Sequence, residues 1–281
     1  PTYYRERLHE AATGTEDTRQ EVLTKDFNIW ETGRITHWIK GDRIRPLQID
    51  RRIEDCRYQN GWQVFVGLDF AQGDDLFAVT YLAVDYTPSD TMRGRFFADT
   101  DCWVLEETMR QSPNRPLYEQ WAAAGWLHIC PGEVFDSMLA INRIAEVAQS
   151  GVNIVSFCYD PAQSIQPINQ LKAWLQTLFQ RTDVSPKELA DVIQRMVIPV
   201  SQTSMTQNPR VGELEHMILE KEPWLNFSAN PMIPWCFGNC AAEVNSSDLR
   251  RIVKGGPQPT HKIDYVHALL DALYGFDLAE N

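Results

Sequence analysis

The 281-residue sequence contains no CxxC pair, and its six cysteines (Cys56, Cys102, Cys130, Cys158, Cys236, Cys240) are scattered. Several lie inside apolar runs such as VSFCYD, where cysteine behaves as a small core residue. A disulfide framework or a zinc site is therefore not expected, Cys236 and Cys240 being the only close pair, and a reducing compartment fits best. No apolar run reaches the roughly 20 residues that span a bilayer. The charged opening PTYYRERLHEAATG lacks the apolar centre of a secretory signal, so no membrane partner is expected. No GxxxxGK[ST] phosphate loop occurs, which leaves this chain without an ATPase motor of that type. Positive charge is also scarce: 26 Lys plus Arg against 38 Asp plus Glu give a formal net charge of −12. That excludes a generic nucleic-acid coat, which needs cations to neutralise phosphates. It leaves room for a nuclease whose acidic residues bind metal beside a local basic strip.

What is present is enough for a substantial core. Hydrophobic residues make up 43% and aromatics 11%, unlike a disordered chain. Residues 1–60 read as an irregular or helical arm, carrying Arg43, Arg45, Arg51 and Arg52, and the main domain occupies 61–281. From Trp62 the pattern alternates. QVFVGLDF and LFAVTYLAVDY read as strands joined by the short polar AQGDD, and DTDCWVLEET reads as a third. Short connections imply an antiparallel meander. Strand–helix units follow: LYEQWAAAGW helical, LHIC extended, SMLAINRIAEVAQSG helical, VNIVSFCYD a buried strand, IQPINQLKAWLQTLFQ helical, MVIPVS a strand and PRVGELEHMILE helical. KIDYVHALLDALYGF predicts an amphipathic last helix with Val266, Leu269, Leu270 and Leu273 on one face. The fold class is α/β, a mixed RNase H-like sheet in which an antiparallel meander is followed by strand–helix units and flanked by helices.

Three aspartates stand at the ends of elements. Asp69 closes the first strand, Asp160 closes VNIVSFCYD immediately before Pro161, and Asp264 opens the last helix. Each has an ordinary reading, because aspartate before a turn bonds its own backbone and aspartate at a helix start is a cap. Asp69 and Asp160, however, end largely apolar runs, where an unpaired charge is costly. In open α/β sheets such groups can converge at strand ends. Hard cations such as Mg²⁺ take oxygen ligands, and two of them about 3.5–4 Å apart can orient a water and stabilise a leaving oxygen in phosphodiester cleavage.

In order along the chain, FVGLDFAQGDDLFAVTYLAV, WAAAGWLHICPGEVFD, IVSFCYDPAQ, GELEHMILE with NPMIPWCFGNCAAEV, and HKIDYVHALLDAL resemble the nuclease domain of tailed-phage large terminase subunits. The likeness covers about residues 62 to 276, and FNIWETGRITHWI is similar to that family's linker between ATPase and nuclease domains. The resemblance implies an RNase H-like, divalent-metal-dependent endonuclease that cuts double-stranded concatemeric DNA during genome packaging. Asp69, Asp160 and Asp264 would be catalytic and would bind Mg²⁺ or Mn²⁺, expected as two ions. Asp75 would be an auxiliary ligand, and Asp74 a turn residue. The implied partners are double-stranded DNA and, for a longer protein, an ATPase domain, a portal and a small terminase subunit, in the cytoplasm of an infected bacterial host. His267 and Asp271 depart from the family pattern, standing where apolar residues are expected, and read as a solvated helix face or as extra site residues near Asp264. Two other readings stay open: a junction resolvase or hybrid nuclease on the same fold, and a non-catalytic docking module for portal or capsid.

For DNA, DLRRIVKGGPQPTHKID offers Arg250, Arg251, Lys254, His261 and Lys262 as a basic loop gripping phosphates without reading bases, or as a plain charged hairpin. The arginines at 43 to 52 are a second candidate strip.

Overall fold

The computed structural model describes residues 2–13, 22, 34–70, 75–162, 164–180, 185–255 and 260–280. Helix α1 (Thr2–Thr13) is followed by strand β1 (Arg34–His37), the single turn α2 (Gly41–Ile44) and the short strand β2 (Gln48–Ile49). The expected meander is β3 (Trp62–Asp69), β4 (Phe77–Asp85) and β5 (Phe96–Leu105). Helices α3 (Glu106–Gln111) and α4 (Arg115–Ala123) lead to β6 (Leu127–Cys130), then α5 (Ser137–Gln149), β7 (Ile154–Tyr159), α6 (Ile165–Phe179), α7 (Pro186–Met196) and β8 (Val197–Pro199). The chain continues through α8 (Ser204–Leu219), β9 (Leu225–Ser228), α9 (Met232–Gly238), the hairpin β10 (Cys240–Val244) and β11 (Arg250–Lys254), and α10 (Asp264–Glu280).

The main sheet runs β2-β9-β5-β4-β3-β7-β8, with β6 also pairing β5. Pairings β3–β4 and β4–β5 are antiparallel, whereas β3–β7 and β7–β8 are parallel. The physical reason is connection length: short links fold a strand back antiparallel, and a helical crossover returns it parallel. This is the mixed sheet that the strand order predicted. Successive residues of β3 point to opposite faces. Val64, Val66 and Leu68 join Ile141, Ile144, Leu171 and Ile193 in one core layer beneath α5, α6 and α7. Phe65 belongs to the other layer, with Leu269, Leu273, Phe237 and Leu214.

The structure departs from the sequence reading in several places. Residues 34–60 are not simply an arm. Strand β1 pairs β10 and β2 pairs β9, while Ile44 and Ile53 are fully buried and Trp38 stacks on Phe237. Helix α7 went unread although its start is legible: Ser185 and Glu188 form a reciprocal cap around Pro186. Strand β9 and helix α9 are too short to show a period. Residues 250–254, read as either a basic loop or a charged hairpin, form β11 and pair with β10 in a hairpin. Helix α10 is not amphipathic, being buried on nearly every side from Asp264 to Leu273, because α8, α9 and the hairpin cover the face turned away from the sheet. Asp74 lies outside the described residues.

Candidate metal centre

The site is built where β3, β7 and α10 meet. In the parallel register Leu68 lies beside Tyr159, so Asp69, the last residue of β3 and still paired with Ala78, and Asp160, just beyond β7, come next at the same end of the sheet. Asp160 Oδ1 accepts a hydrogen bond from the Ala162 amide at 2.9 Å, a local turn permitted by Pro161. Helix α10 crosses the same sheet face over Gly67. A methyl group at Gly67 would stand 1.6 Å from the Ala268 carbonyl oxygen and 2.9 Å from the Ala272 nitrogen. Only a glycine admits this approach. Ala268 lies between Asp264 and Asp271 on α10, so the contact draws both carboxylates toward Asp69.

Their charges act on one another. Burial, followed by Asp264, Asp271, Asp160 and Asp75, pushes the Asp69 carboxyl well above the usual carboxylate range. Burial, then Asp75, raises Asp264 to about 7, against the opposing pull of Lys254 and Lys262. Among the described residues, Asp264 Oδ2 is buried without a hydrogen-bond partner. Asp271 is 2% exposed and is raised by burial and by Asp160, with the hydrogen bond from Gln202 opposing. The solvated-face reading of Asp271 is therefore overturned: Gln202 Nε2 donates to Asp271 Oδ1 at 3.0 Å, and Gln207 in turn donates to Gln202 at 2.6 Å. Gln207 also accepts from the Ile252 amide of β11, tying the acidic centre to the hairpin. His267, half-buried on α10, has its Nε2 3.1 Å from the Ile252 carbonyl. The spacing of seven residues between Asp264 and Asp271 hinted at a shared face. Nothing in the sequence marked Gln202.

Asp75 is held differently. Its Oδ1 accepts from Lys254 Nζ at 2.7 Å and from Lys262 Nζ at 2.9 Å. Burial works upward on its carboxyl, but these two lysines outweigh it and hold it below the usual range. The proposed phosphate grips thus have acidic partners. Arg250 pairs with Glu215 at 2.7 Å, Arg251 pairs with Glu243, and the Lys262 side chain is 3% exposed. In the second basic strip, Arg52 reaches Asp99 at 3.1 Å and lies over Trp126, while Arg51 lies over Trp62. Arg45 pairs with Asp42.

The oxygen donors and the unpartnered Asp264 Oδ2 suit a hard divalent cation, which takes carboxylate oxygens and completes its shell with water. Among the described residues, however, no three carboxylate, imidazole or thiolate groups stand together as a ready ligand set. Asp69, Asp160, Asp264, Asp271 and Asp75 form one electrostatic neighbourhood rather than a closed cage.

Comparison with known proteins gives this geometry its family. The terminase large subunit, endonuclease domain profile matches residues 4–280. Among solved structures, the HK97 bacteriophage large terminase is 18% identical, with a TM-score of 0.65; the match covers 96% of this chain and 49% of that one. At that identity the likeness is one of fold. The large terminase nuclease from thermophilic phage G20c is 12% identical with a TM-score of 0.48, covering 85% of this chain and 97% of that one. The g2p large terminase nuclease domain from bacteriophage SPP1, solved with bound Mn, is 11% identical with a TM-score of 0.41, covering 83% and 93%. No curated protein sequence matches the chain. Among the described residues no helix is long and apolar enough to cross a membrane. Matched by the family profile along nearly its whole length, and carrying the RNase H-like sheet, the chain belongs to the terminase large subunit endonuclease domain family.

Proposed function

We propose that Asp69, Asp160 and Asp264 hold Mg²⁺ or Mn²⁺ and that this chain hydrolyses phosphodiester bonds of double-stranded concatemeric viral DNA during genome packaging. What supports the reading is that β3 and β7 run side by side up to Asp69 and Asp160, that α10 packs directly on Gly67, and that Asp264, Asp271, Asp160 and Asp75 all act on the buried Asp69. A bound divalent ion supplies an activated water and neutralises charge on the scissile phosphate. The chain's own groups set the stage for that chemistry. Asp69 and Asp160 present oxygens from adjoining strand ends, Asp264 adds a third from the start of α10, and Gln202 orients Asp271 behind them. Arg251 on one face of β11, and Arg250 and Lys254 on the other, would contact the DNA backbone. Lys262 acts from beneath the surface through Asp75. Backbone contacts of this kind position DNA without reading its sequence, so weak sequence preference is expected.

Since the chain spans 49% of the HK97 large terminase, packaging itself is read as the work of a longer protein with an ATPase domain, a portal and a small terminase subunit, in the cytoplasm of the infected host. Residues 1–60 then serve as the approach from that ATPase domain. The test is cleavage of supercoiled plasmid with Mn²⁺ or Mg²⁺ by the wild-type chain and by Asp69→Ala and Asp160→Ala. Loss of nicking in both variants, with their circular dichroism unchanged, is the expected result. Undiminished cleavage would overturn the assignment.

A further inference from the structure

An open cleft of about 620 Å³ follows β8, the strand that ends the described sheet on that side. Helix α6 contributes Lys172 and Gln176 to it, α7 contributes Gln194 and Arg195, β7 contributes Tyr159, and all three residues of β8 line it. None of the described residues lining it is acidic. In a chain of formal net charge −12 this sets the cleft apart. The basic residues beside the acidic centre, Arg250, Arg251, Lys254 and Lys262, are each paired with a carboxylate. Among the described residues Lys172 has no ion pair, and Arg195 Nε donates to the Asp191 backbone carbonyl of its own helix, at 3.3 Å.

The cleft adjoins the acidic centre along two strands. Tyr159 immediately precedes Asp160, and the Val200 amide donates to the Tyr159 carbonyl at 2.8 Å, holding the end of β8 against β7. Three residues beyond Pro199, Gln202 reaches Asp271. Leu278 of α10 also lines the cleft, so it passes round the edge of the sheet from the α6 and α7 layer to the layer that holds Asp264 and Asp271. Its chemistry suits a phosphodiester chain. Lysine and arginine are donors without acceptor capacity and bond phosphate oxygens, the glutamine amides add neutral donors, and the tyrosine ring and apolar β8 residues offer a surface to deoxyribose. Contacts of this kind fix the register of a duplex without reading bases.

We propose that the cleft along β8 seats the DNA backbone flanking the scissile phosphate, with Lys172 and Arg195 bonding phosphates and Tyr159 packing against the sugar. This rests on the nuclease reading above. It gives Lys172 and Arg195 a positioning role outside the metal centre, holding the substrate strand as it leaves the carboxylates.

The experiment is fluorescence-anisotropy titration of a short labelled duplex, with Ca²⁺ in place of Mg²⁺ or Mn²⁺, over a series of KCl concentrations. The variants are Lys172→Ala, Arg195→Ala and the two combined, each checked by circular dichroism. Lys187→Ala, which removes an exposed charge of α7 outside the cleft, is the control. The cleft variants are expected to bind duplex more weakly, the dependence of log affinity on log salt becoming shallower by about 1 for each lost phosphate contact. In Mn²⁺-driven cleavage they should raise KM more than they lower kcat, and their Mn²⁺ affinity by calorimetry should equal that of wild type. Unchanged duplex affinity and salt dependence in the combined variant would overturn the proposal and leave the cleft to an acidic protein segment. It would equally fall if Lys187→Ala weakened binding as much as the cleft variants do, or if wild type bound thymidine 5′-monophosphate through these residues while duplex affinity did not depend on them. A wild-type chain that binds no duplex would overturn the nuclease reading itself, and this inference with it.

Discussion

At the position of Gly67 a single methyl group would meet a backbone oxygen of α10 at 1.6 Å, a separation that no rotamer change relieves. The glycine that looks like a gap in an apolar strand is the point on which the site turns, because the close approach it allows brings Asp264 and Asp271 to Asp69. Gly67→Ala is expected to cost about 1–3 kcal/mol, the range for overpacking. It should lie toward the upper end because the obstacle is main chain. The same variant should lose Mn²⁺ binding in calorimetry, since α10 must move off the sheet; urea unfolding measures the first effect. Asp69, Asp160 and Asp264 were legible as candidates because each stands at or beside the end of an element. Asp271 was visible in spacing but read as solvated, since sequence cannot show that α8 and the hairpin close over that face. Gln202 is 69 positions from the carboxylate it orients and carries no local signal.

Among elements, the packing of α8 against α10 contains a titrating contact. Burial, then the charge and hydrogen bond of Asp277, raises Glu213 from its ordinary 4.5 to about 7, with Arg210 pulling the other way. The folded state therefore binds a proton on Glu213 more tightly than the unfolded chain does. The stability this adds is fully present below about 4.5 and is lost as pH rises through about 7. Thermal melts should show the wild-type midpoint falling relative to Glu213→Gln from about pH 4.5 to about 7 and levelling off above, as the amide keeps a donor for Asp277 without gaining charge. On the opposite face of the sheet, α5 docks on β5 through ions. Arg143 Nε donates to Asp101 at 2.8 Å and the same arginine pairs with Glu54. Burial works against the Asp101 charge, but the hydrogen bond from His128, with Arg143 and Arg52, holds its carboxyl below the usual range. Neighbouring Asp99 is raised to about 6, chiefly by burial. Arg143→Ala leaves Asp101 buried with less compensation and is expected to cost about 3–5 kcal/mol, read by chemical denaturation. These carboxylates sit in DTDC, a strand that the sequence does announce. Their pairing with α5 and residues 52–54 is a tertiary fact.

Across the whole molecule, the sequence by itself determined the architecture and most of the acidic positions. The meander of β3, β4 and β5, the parallel addition of β7 and β8, and the helical cover follow from period and connection length, which are local properties of the chain. The three candidate aspartates at element boundaries and the family likeness were readable for the same reason: a strand end or a helix start is written in adjacent residues. Tertiary structure alone decided the incorporation of residues 34–60 into both sheets, the burial of α10 on nearly all sides and the capture of Asp75 by Lys254 and Lys262. It likewise paired the basic residues of β11 with acidic partners. Each of these depends on groups far apart in the chain and close in space, where Coulombic interaction and desolvation act on distance and burial rather than on sequence separation.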